Sequence, residues 1–316
     1  MAKLPPDVQS QKPMFGLSVD KVGLVSVIKE IVFNDSPRPY NLVASFDVFT
    51  DLPATQRGMH MSRPGEAIMD IIENASAIPI KTFEALCAEI SKRTLEVSES
   101  SSYAETRLRG RMVLKSRSKI NNRLVSEPVR VFSSARVIRD TGSTIHSVGV
   151  SVIGMTVCPC AKELTEDYSR DMIGDALKGF GVSEKNVDEL VKLIPVASHV
   201  QRGEGKILAT GVKPGVLDIY DLVDIIEESM SGPTQDVLKR TDEASLVRIA
   251  FSRPRFVEDV VRNMAFLLAK KYAGKIEDSA LFLLSQRNYE SIHKHDVKAE
   301  IRVSMKQLIN KFSDVQ

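Results

Sequence analysis

The sequence predicts an α+β protein built as two tandem units, each an antiparallel sheet covered by helices. Two observations predict it. The order strand, two helices, strands runs through the first half and returns in the second as strands, helices, strands. Neither half alternates single strands with single helices, which argues against a doubly wound parallel sheet. With 316 residues the chain has room for two such cores.

Residues 1–20 carry Pro5, Pro6, Pro13 and Gly16 among polar residues, and read as a flexible N-terminal arm. The first unit is expected over 21–145 and the second over 146–316. An apolar-rich element covers 21–33, and a strand covers 41–52 before Pro53. The loop that follows holds Arg57, His60 and Arg63, groups suited to anions. Ile68, Ile71, Ile72 and Ala75 mark one helix face, and Phe83, Leu86, Cys87 and Ile90 mark a second, both at helical spacing. Cys87 is therefore expected in the core. From Tyr103 the period becomes two. Arg107, Arg109 and Arg111 share one strand face, and Lys115, Arg117, Lys119 and Arg123 extend the basic run. Such a run is usually a solvated sheet face; a positive wall for a polyphosphate is the sharper alternative. Strands are expected over 129–139 and 146–157, with a turn at Asp140-Thr141-Gly142.

In the second half, 170–194 reads as helical, with an apolar stripe of Val187, Leu190, Val191 and Ile194. A strand near 206–211 leads to a helix carrying Leu222, Ile225 and Ile226, which ends near Gly232-Pro233. Another helix is expected with Pro254 near its first turn and Val257, Val260, Val261, Met264 and Leu268 along one face. Strands near 280–284 and 297–303 close the chain.

Composition sets the outer bounds. Hydrophobic residues at 43% and charged residues at 27% are ordinary for a soluble globular protein. A net charge of +2 is too small to argue for nucleic acid. Three cysteines, an odd count, speak against a disulfide framework and for a reducing compartment. No apolar run approaches a membrane span, and no signal pattern opens the chain, so a cytoplasmic protein is expected.

Chemistry is concentrated at Cys158-Pro159-Cys160, where the alternating run 147–153 stops and proline forces a turn. One intervening proline strains a disulfide, so two separate roles are expected. One thiolate binds a metal, and the other is a nucleophile or an acid–base group. Alone the signal is weak, because two small buried residues at a strand end have the same spelling. Four of five histidines, His60, His199, His293 and His295, fall among other polar functional groups. Thiol, imidazole and carboxylate together suit a borderline ion such as Zn²⁺ or Fe²⁺. No P-loop pattern is present, so a nucleotide would be held otherwise; Arg57, Arg63 and Arg202 are candidate phosphate ligands.

Six segments carry a family resemblance in order: 52–63, Cys158-Pro159-Cys160, His199-Val200-Gln201-Arg202-Gly203, 238–243, Arg255-Phe256-Val257-Glu258-Asp259 and Glu290-Ser291-Ile292-His293-Lys294-His295. They resemble the prokaryotic type IB GTP cyclohydrolases, and most closely the archaeal branch that feeds methanopterin synthesis. Two departures stand out: His-Val-Gln-Arg replaces the bacterial His-Asn-Gln-Arg, and Arg-Thr-Asp-Glu replaces Arg-Pro-Asp-Glu. A helical insertion at 162–197, between the cysteines and His199, also looks archaeal. The resemblance implies tandem tunnelling-fold (T-fold) units with a helix pair on each sheet, in a homo-oligomer, dimer or tetramer, with sites at subunit interfaces. It implies a metal held by Cys158, His199, Glu243 and His293, one divalent ion per subunit, Fe²⁺ first and Zn²⁺ or Mn²⁺ as alternatives. Cys160 is implied as the catalytic thiol, with His295 and His60 near the ribose and phosphates, and Glu258 as the anchor of the guanine ring.

The implied reaction opens the guanine imidazole ring of GTP and releases formate and diphosphate, leaving 7,8-dihydroneopterin 2′,3′-cyclic phosphate. Bacterial relatives retain the triphosphate. Two other readings stay open on the residues: a nitrile reductase of the same fold, and a non-catalytic zinc-binding protein.

Overall fold

The computed structural model describes residues 7–33, 40–73, 82–118, 120–194 and 196–313. The first six residues of the expected arm, Ala75 and Lys119 lie outside the described residues. The strands are β1 (Val19–Phe33), β2 (Tyr40–Leu52), β3 (Tyr103–Arg117), β4 (Leu124–Ile138), β5 (Thr144–Val157), β6 (Val200–Thr210), β7 (Gly232–Pro233), β8 (Leu281–Asn288) and β9 (Val297–Ser304). The helices are α1 (Ser62–Glu73), α2 (Phe83–Val97), α3 (Pro159–Lys178), α4 (Glu184–Leu193), α5 (Ile219–Ser229), α6 (Arg240–Ser252), α7 (Val257–Tyr272) and α8 (Met305–Phe312).

The strands on either side of the expected boundary are fused into one sheet. The strands pair in the order β1-β2-β3-β4-β5-β6-β8-β9, with β7 added beside β5. The seam is the antiparallel β4–β5 ladder, from Arg130 opposite Ser151 to Val137 opposite Thr144. The expected boundary at 145/146 therefore falls just inside β5, which begins at Thr144.

Alternation decides which side of the sheet the helices cover. In β3, Ala104, Thr106, Leu108, Met112 and Leu114 are buried; in β4, Val129, Val131, Ala135 and Val137 are. Leu108, Met112, Leu114, Val129, Val131 and Ala135 meet one continuous core that also takes Ile68, Phe83, Leu86 and Ile90 from the first helix pair and Leu222, Ile226, Val260 and Met264 from α5 and α7. Ala104 and Val137 pack with Leu95 in a smaller cluster. Cys87 is fully buried there, and burial pushes its thiol up to about 12, as a core residue requires. The opposite strand face carries the basic row, and carboxylates answer it. Glu105 takes hydrogen bonds from Lys21, Arg107 and Arg136, and Arg109 pairs with Asp47. For these two arginines the row is a paired sheet face.

Several elements depart from expectation. The described part of the arm is held by the loop before α1: Arg57 N–H donates to Gln11 O (2.8 Å) and Gly58 N–H to Gln9 O (3.1 Å). Helix begins at Pro159, earlier than the 170 expected for it and three residues before the expected insertion at 162, because Cys158 already caps it: its Sγ accepts from Ala161 N–H at 3.5 Å. Pro254 lies before α7, not in its first turn. Arg255 N–H is committed to Val157 O (2.9 Å), so the chain is still pairing with the sheet there. The helices α6 and α8 were not expected. Only Leu246 and Ala250 of α6 are buried, too few to make a periodic signal. In α8 the Ser304–Gln307 capping box was readable, but the helix buries only Met305 and Leu308.

Candidate metal and nucleotide site

The floor of the site is the end of β5. Its ladder with β4 runs out at Ser151, and the outer edge then needs other partners. Pro233 and Gly232 pair with Gly154 and Met155. Ser231 N–H donates to Met155 O (3.0 Å), and Val157 N–H donates to Ser231 Oγ (3.0 Å). The next bond brings in the wall: Arg255 N–H donates to Val157 O, which sets Phe256 and the start of α7 beside the cysteine turn. Phe256 N–H donates to Asp259 Oδ2 (3.0 Å), so the first turn of α7, with Glu258 in it, starts at a fixed place.

On the inner edge β6 runs to the same end. Cys158 N–H donates to His199 O (3.1 Å), and Ser198 Oγ donates to Cys158 O (2.7 Å). Thiol and imidazole are thus tied through the backbone before any ligand is considered. From β8 the chain continues to Glu290, His293 and His295. These side chains meet in one pocket of about 230 Å³, lined by Cys158, His199, Gln201, Arg255, Glu258, Asn288, Glu290, His293 and His295 among others.

Within the pocket the rings of His199 and His293 are edge to face, 6.2 Å between centroids. His293 stacks on His295 at 5.3 Å. Glu290, only 6% exposed at its side chain, reaches both metal-candidate histidines: Oε2 lies 3.3 Å from His293 Nδ1 and 4.0 Å from His199 Nδ1. One thiol, two imidazoles and a carboxylate are a donor set that suits Zn²⁺ or Fe²⁺ better than Mg²⁺ or Ca²⁺. Among the described residues no group of three such side chains is already closed to ligand distance. Holding an ion therefore requires the rings and the carboxylate to draw together.

Below the pocket a buried amide pair braces β8. Gln286 Nε2 donates to Asn288 Oδ1 (2.9 Å), and the two residues are 0% and 2% exposed. Gly203 of β6 lies against this pair, where any Cβ would collide with Gln286 Nε2 and Asn288 Oδ1. The glycine after His-Val-Gln-Arg is therefore a requirement of close approach.

The comparisons fit this geometry. The family model for type I GTP cyclohydrolase FolE2 matches residues 5–299. The chain belongs to that family. It is 38% identical over 299 residues to the GTP cyclohydrolase MptA of Methanosphaera stadtmanae, covering 93% of this chain and 94% of the relative. It is 34% identical over 306 residues to the GTP cyclohydrolase MptA of Methanothermobacter thermautotrophicus, covering 96% and 94%. A crystal structure of a uricase from Bacillus fastidious superposes with a TM-score of 0.51 at 8% identity, over 92% of this chain and 95% of that one. That likeness shows the T-fold alone.

Against the expectations for a GTP cyclohydrolase of this type, the structure gathers Cys158, His199, His293, His295 and Glu258 into one pocket. It does not gather the rest. Glu243 is exposed in the first turn of α6 and does not line the pocket; Glu290 is the carboxylate beside the histidines. Cys160, the second residue of α3, is exposed and is not among the residues that line the pocket. Arg202 follows Gln201 on the strand, so alternation turns it to the other face, where it lines a separate cavity of about 470 Å³ with Arg117 and Ser118. His60, Arg57 and Arg63 belong to the first unit. His60 Nε2 is 3.3 Å from Asp7 Oδ2 in the arm, and Arg63 Nη1 donates to Val97 O at the end of α2 (2.8 Å).

Sequence reasoning missed Glu290, Arg255, Gln201 and Asn288 as pocket residues. The first three lie inside recognised motifs but carried no assigned role. Asn288 had no signal, since a buried strand asparagine looks like any polar residue. No helix among the described residues is long and apolar enough to cross a membrane.

Proposed function

We propose that the protein opens the imidazole ring of GTP in a metal-dependent reaction, and that the pocket at the end of β5 is where it does so. The observation that carries the reading is the convergence of Cys158, His199, His293 and Glu290 beside His295 and Glu258, in a chain of this family. Cys158, His199 and His293 hold the ion, Fe²⁺ first with Zn²⁺ or Mn²⁺ as alternatives. Glu290 is the carboxylate within reach in the same protomer. Bound there, the ion supplies Lewis-acid activation of water near neutral pH.

The protein's own residues do the rest. Glu258 accepts hydrogen bonds from guanine N1–H and the exocyclic amine, a pair of donors that adenine cannot offer together. Water adds at C8, and the C8–N9 bond opens. His295, stacked on His293, delivers a proton to the departing N9. A second water then frees C8 as formate. The ribosylamino group then rearranges to a ketone, and the freed N7 amine condenses with it and loses water to close the pterin ring. We propose the archaeal outcome, in which a ribose-derived hydroxyl displaces diphosphate from the α-phosphorus to give 7,8-dihydroneopterin 2′,3′-cyclic phosphate for methanopterin synthesis. The length and identity of the match to the MptA enzymes support that choice.

We further propose a homo-oligomer in which a second copy completes each site. The pocket of about 230 Å³ is smaller than the roughly 300–1,000 Å³ of sites that enclose small ligands. The first-unit residues Arg57 and His60 then reach the nucleotide from the neighbouring copy. The test is anaerobic incubation of the Fe²⁺-loaded protein with GTP, with products resolved by mass. Formate, diphosphate and the cyclic phosphate are expected. A triphosphate product would move the protein to the bacterial outcome, and unopened GTP would overturn the proposal.

A further inference from the structure

The residue two positions after His199 is placed to control that histidine. Gln201 is 7% exposed, and its Oε1 lies 2.9 Å from His199 Nδ1. The other end of the amide is fixed as well: Nε2 is 3.1 Å from Oγ1 of Thr156, a residue with no exposed surface. Thr156 and Gln201 face each other in the β5–β6 register, so the amide spans two adjacent strands at the floor of the pocket. Other acceptors near His199 Nδ1 are more distant, with Ser291 Oγ at 3.4 Å and Glu290 Oε2 at 4.0 Å.

We propose that Gln201 is a positioning residue that fixes the His199 tautomer, keeping the Nδ1 proton on the protein side and turning the Nε2 lone pair into the pocket. The inference rests on the reading of His199 as a metal ligand. In a neutral imidazole one nitrogen donates and the other accepts. An amide oxygen can only accept, so its contact with Nδ1 places the proton there. In that direction Nε2 donates to Thr156 Oγ1, so the far end of the amide is anchored to β5. With the amide reversed, an N–H would face Nδ1, the ring proton would move to Nε2, and no lone pair would face the ion. Metal-bound histidines generally have such a partner on the second nitrogen, and losing it costs about 10–100-fold in metal affinity. The His-x-Gln spacing follows, because residues two apart near the start of a strand share a face.

The test measures Zn²⁺ affinity by competition with a chromophoric chelator, together with the visible spectrum of the Co²⁺-loaded form, in the full-length protein. Gln201→Leu removes the acceptor, and an affinity loss of about 10–100-fold is expected. Gln201→Glu keeps an acceptor and removes the donor, and its affinity is expected at or above that of the unaltered protein. A merely structural role predicts the reverse, since a carboxylate in this buried place disturbs packing more than leucine does. Thr156→Val serves if Gln201→Leu does not fold; it frees the amide to reverse, and a loss of a few fold is expected. Equal losses in Gln201→Leu and Gln201→Glu would overturn the inference, as would an unchanged affinity in Gln201→Leu or, in its place, Thr156→Val. His199→Ala separates the two levels. If it keeps full affinity, the metal reading of His199 fails; if it loses affinity while Gln201→Leu does not, only the positioning role fails.

Discussion

The carboxylate of Glu290 lies 3.3 Å from Nδ1 of His293, three residues further on, and its side chain is only 6% exposed. A buried carboxylate between two imidazoles needs cations or a metal to justify its desolvation. Glu243, exposed on α6, carries no such constraint within the protomer. Glu290→Ala is therefore expected to lower metal affinity by at least about tenfold, and by more than Glu243→Ala does. Metal content after dialysis against graded chelator measures both. A larger loss in Glu243→Ala would show that the ligand carboxylate comes from α6, reaching the pocket from another copy.

The two cysteines should separate cleanly. Cys158 lines the pocket and caps α3, whereas Cys160 is exposed outside the lining. Cys158→Ala is expected to abolish tight metal binding. Cys160→Ser is expected to keep it, with metal content near that of the unaltered protein. Loss of the ion from Cys160→Ser would mean that both thiols coordinate and that the two-role assignment is wrong.

Gly203→Ala should be costly for its size. The added methyl meets the buried Gln286–Asn288 amide pair, which can yield only by breaking its hydrogen bond or moving β8. Overpacking of this kind costs about 1–3 kcal/mol. Chemical denaturation should show that loss. A stability within 0.5 kcal/mol or so of the unaltered protein would mean that the strands part more easily than a close-packed interior should.

Acid should find Glu105. Burial raises its pKa, but hydrogen bonds from Arg136, Lys21 and Arg107 outweigh burial and hold the carboxyl down to about 2. A depressed folded pKa contributes stability that is present above the unfolded value, near 4.3 or so, and is lost as pH falls through the folded value. Between about pH 4.5 and pH 2, the unaltered protein should therefore lose more melting temperature than Glu105→Gln does. Parallel melting curves for the two proteins across that range would show that the cluster contributes no acid sensitivity.

Much of this architecture was legible because it rests on periodicity. The basic alternation at Arg107, Arg109 and Arg111 fixes a sheet face, and the helix faces at Ile68 and Leu86 fix a covering layer. The fused sheet was not legible, since nothing in the residues of β4 and β5 says that the two strands pair with each other. The site was half legible. Cys158, His199, His293 and His295 announce themselves by residue type and motif, and the pocket holds all four. Glu243 and Glu290 are equally good carboxylates on paper. Only the fold distinguishes the one packed against the imidazoles from the one facing solvent in this protomer. Arg202 lines a different cavity from Gln201, because an adjacent position in a motif is, on a strand, the other side of the sheet.

The fusion at β5 has a consequence for timescales. β5 lies inside the sheet, paired with β4 and then β7 on one side and with β6 on the other, and it ends at Val157, one residue before Cys158. Amides in such a strand exchange with solvent only when the whole protein opens, whereas the 289–296 connection lies outside the ladders and can open locally. The pocket therefore joins a slow side to a fast one. Cys158 and His199, joined by a backbone hydrogen bond, sit on the sheet side, while Glu290, His293 and His295 lie on the connection outside the ladders. Hydrogen exchange is therefore expected to be slower on the thiol side than along the connection.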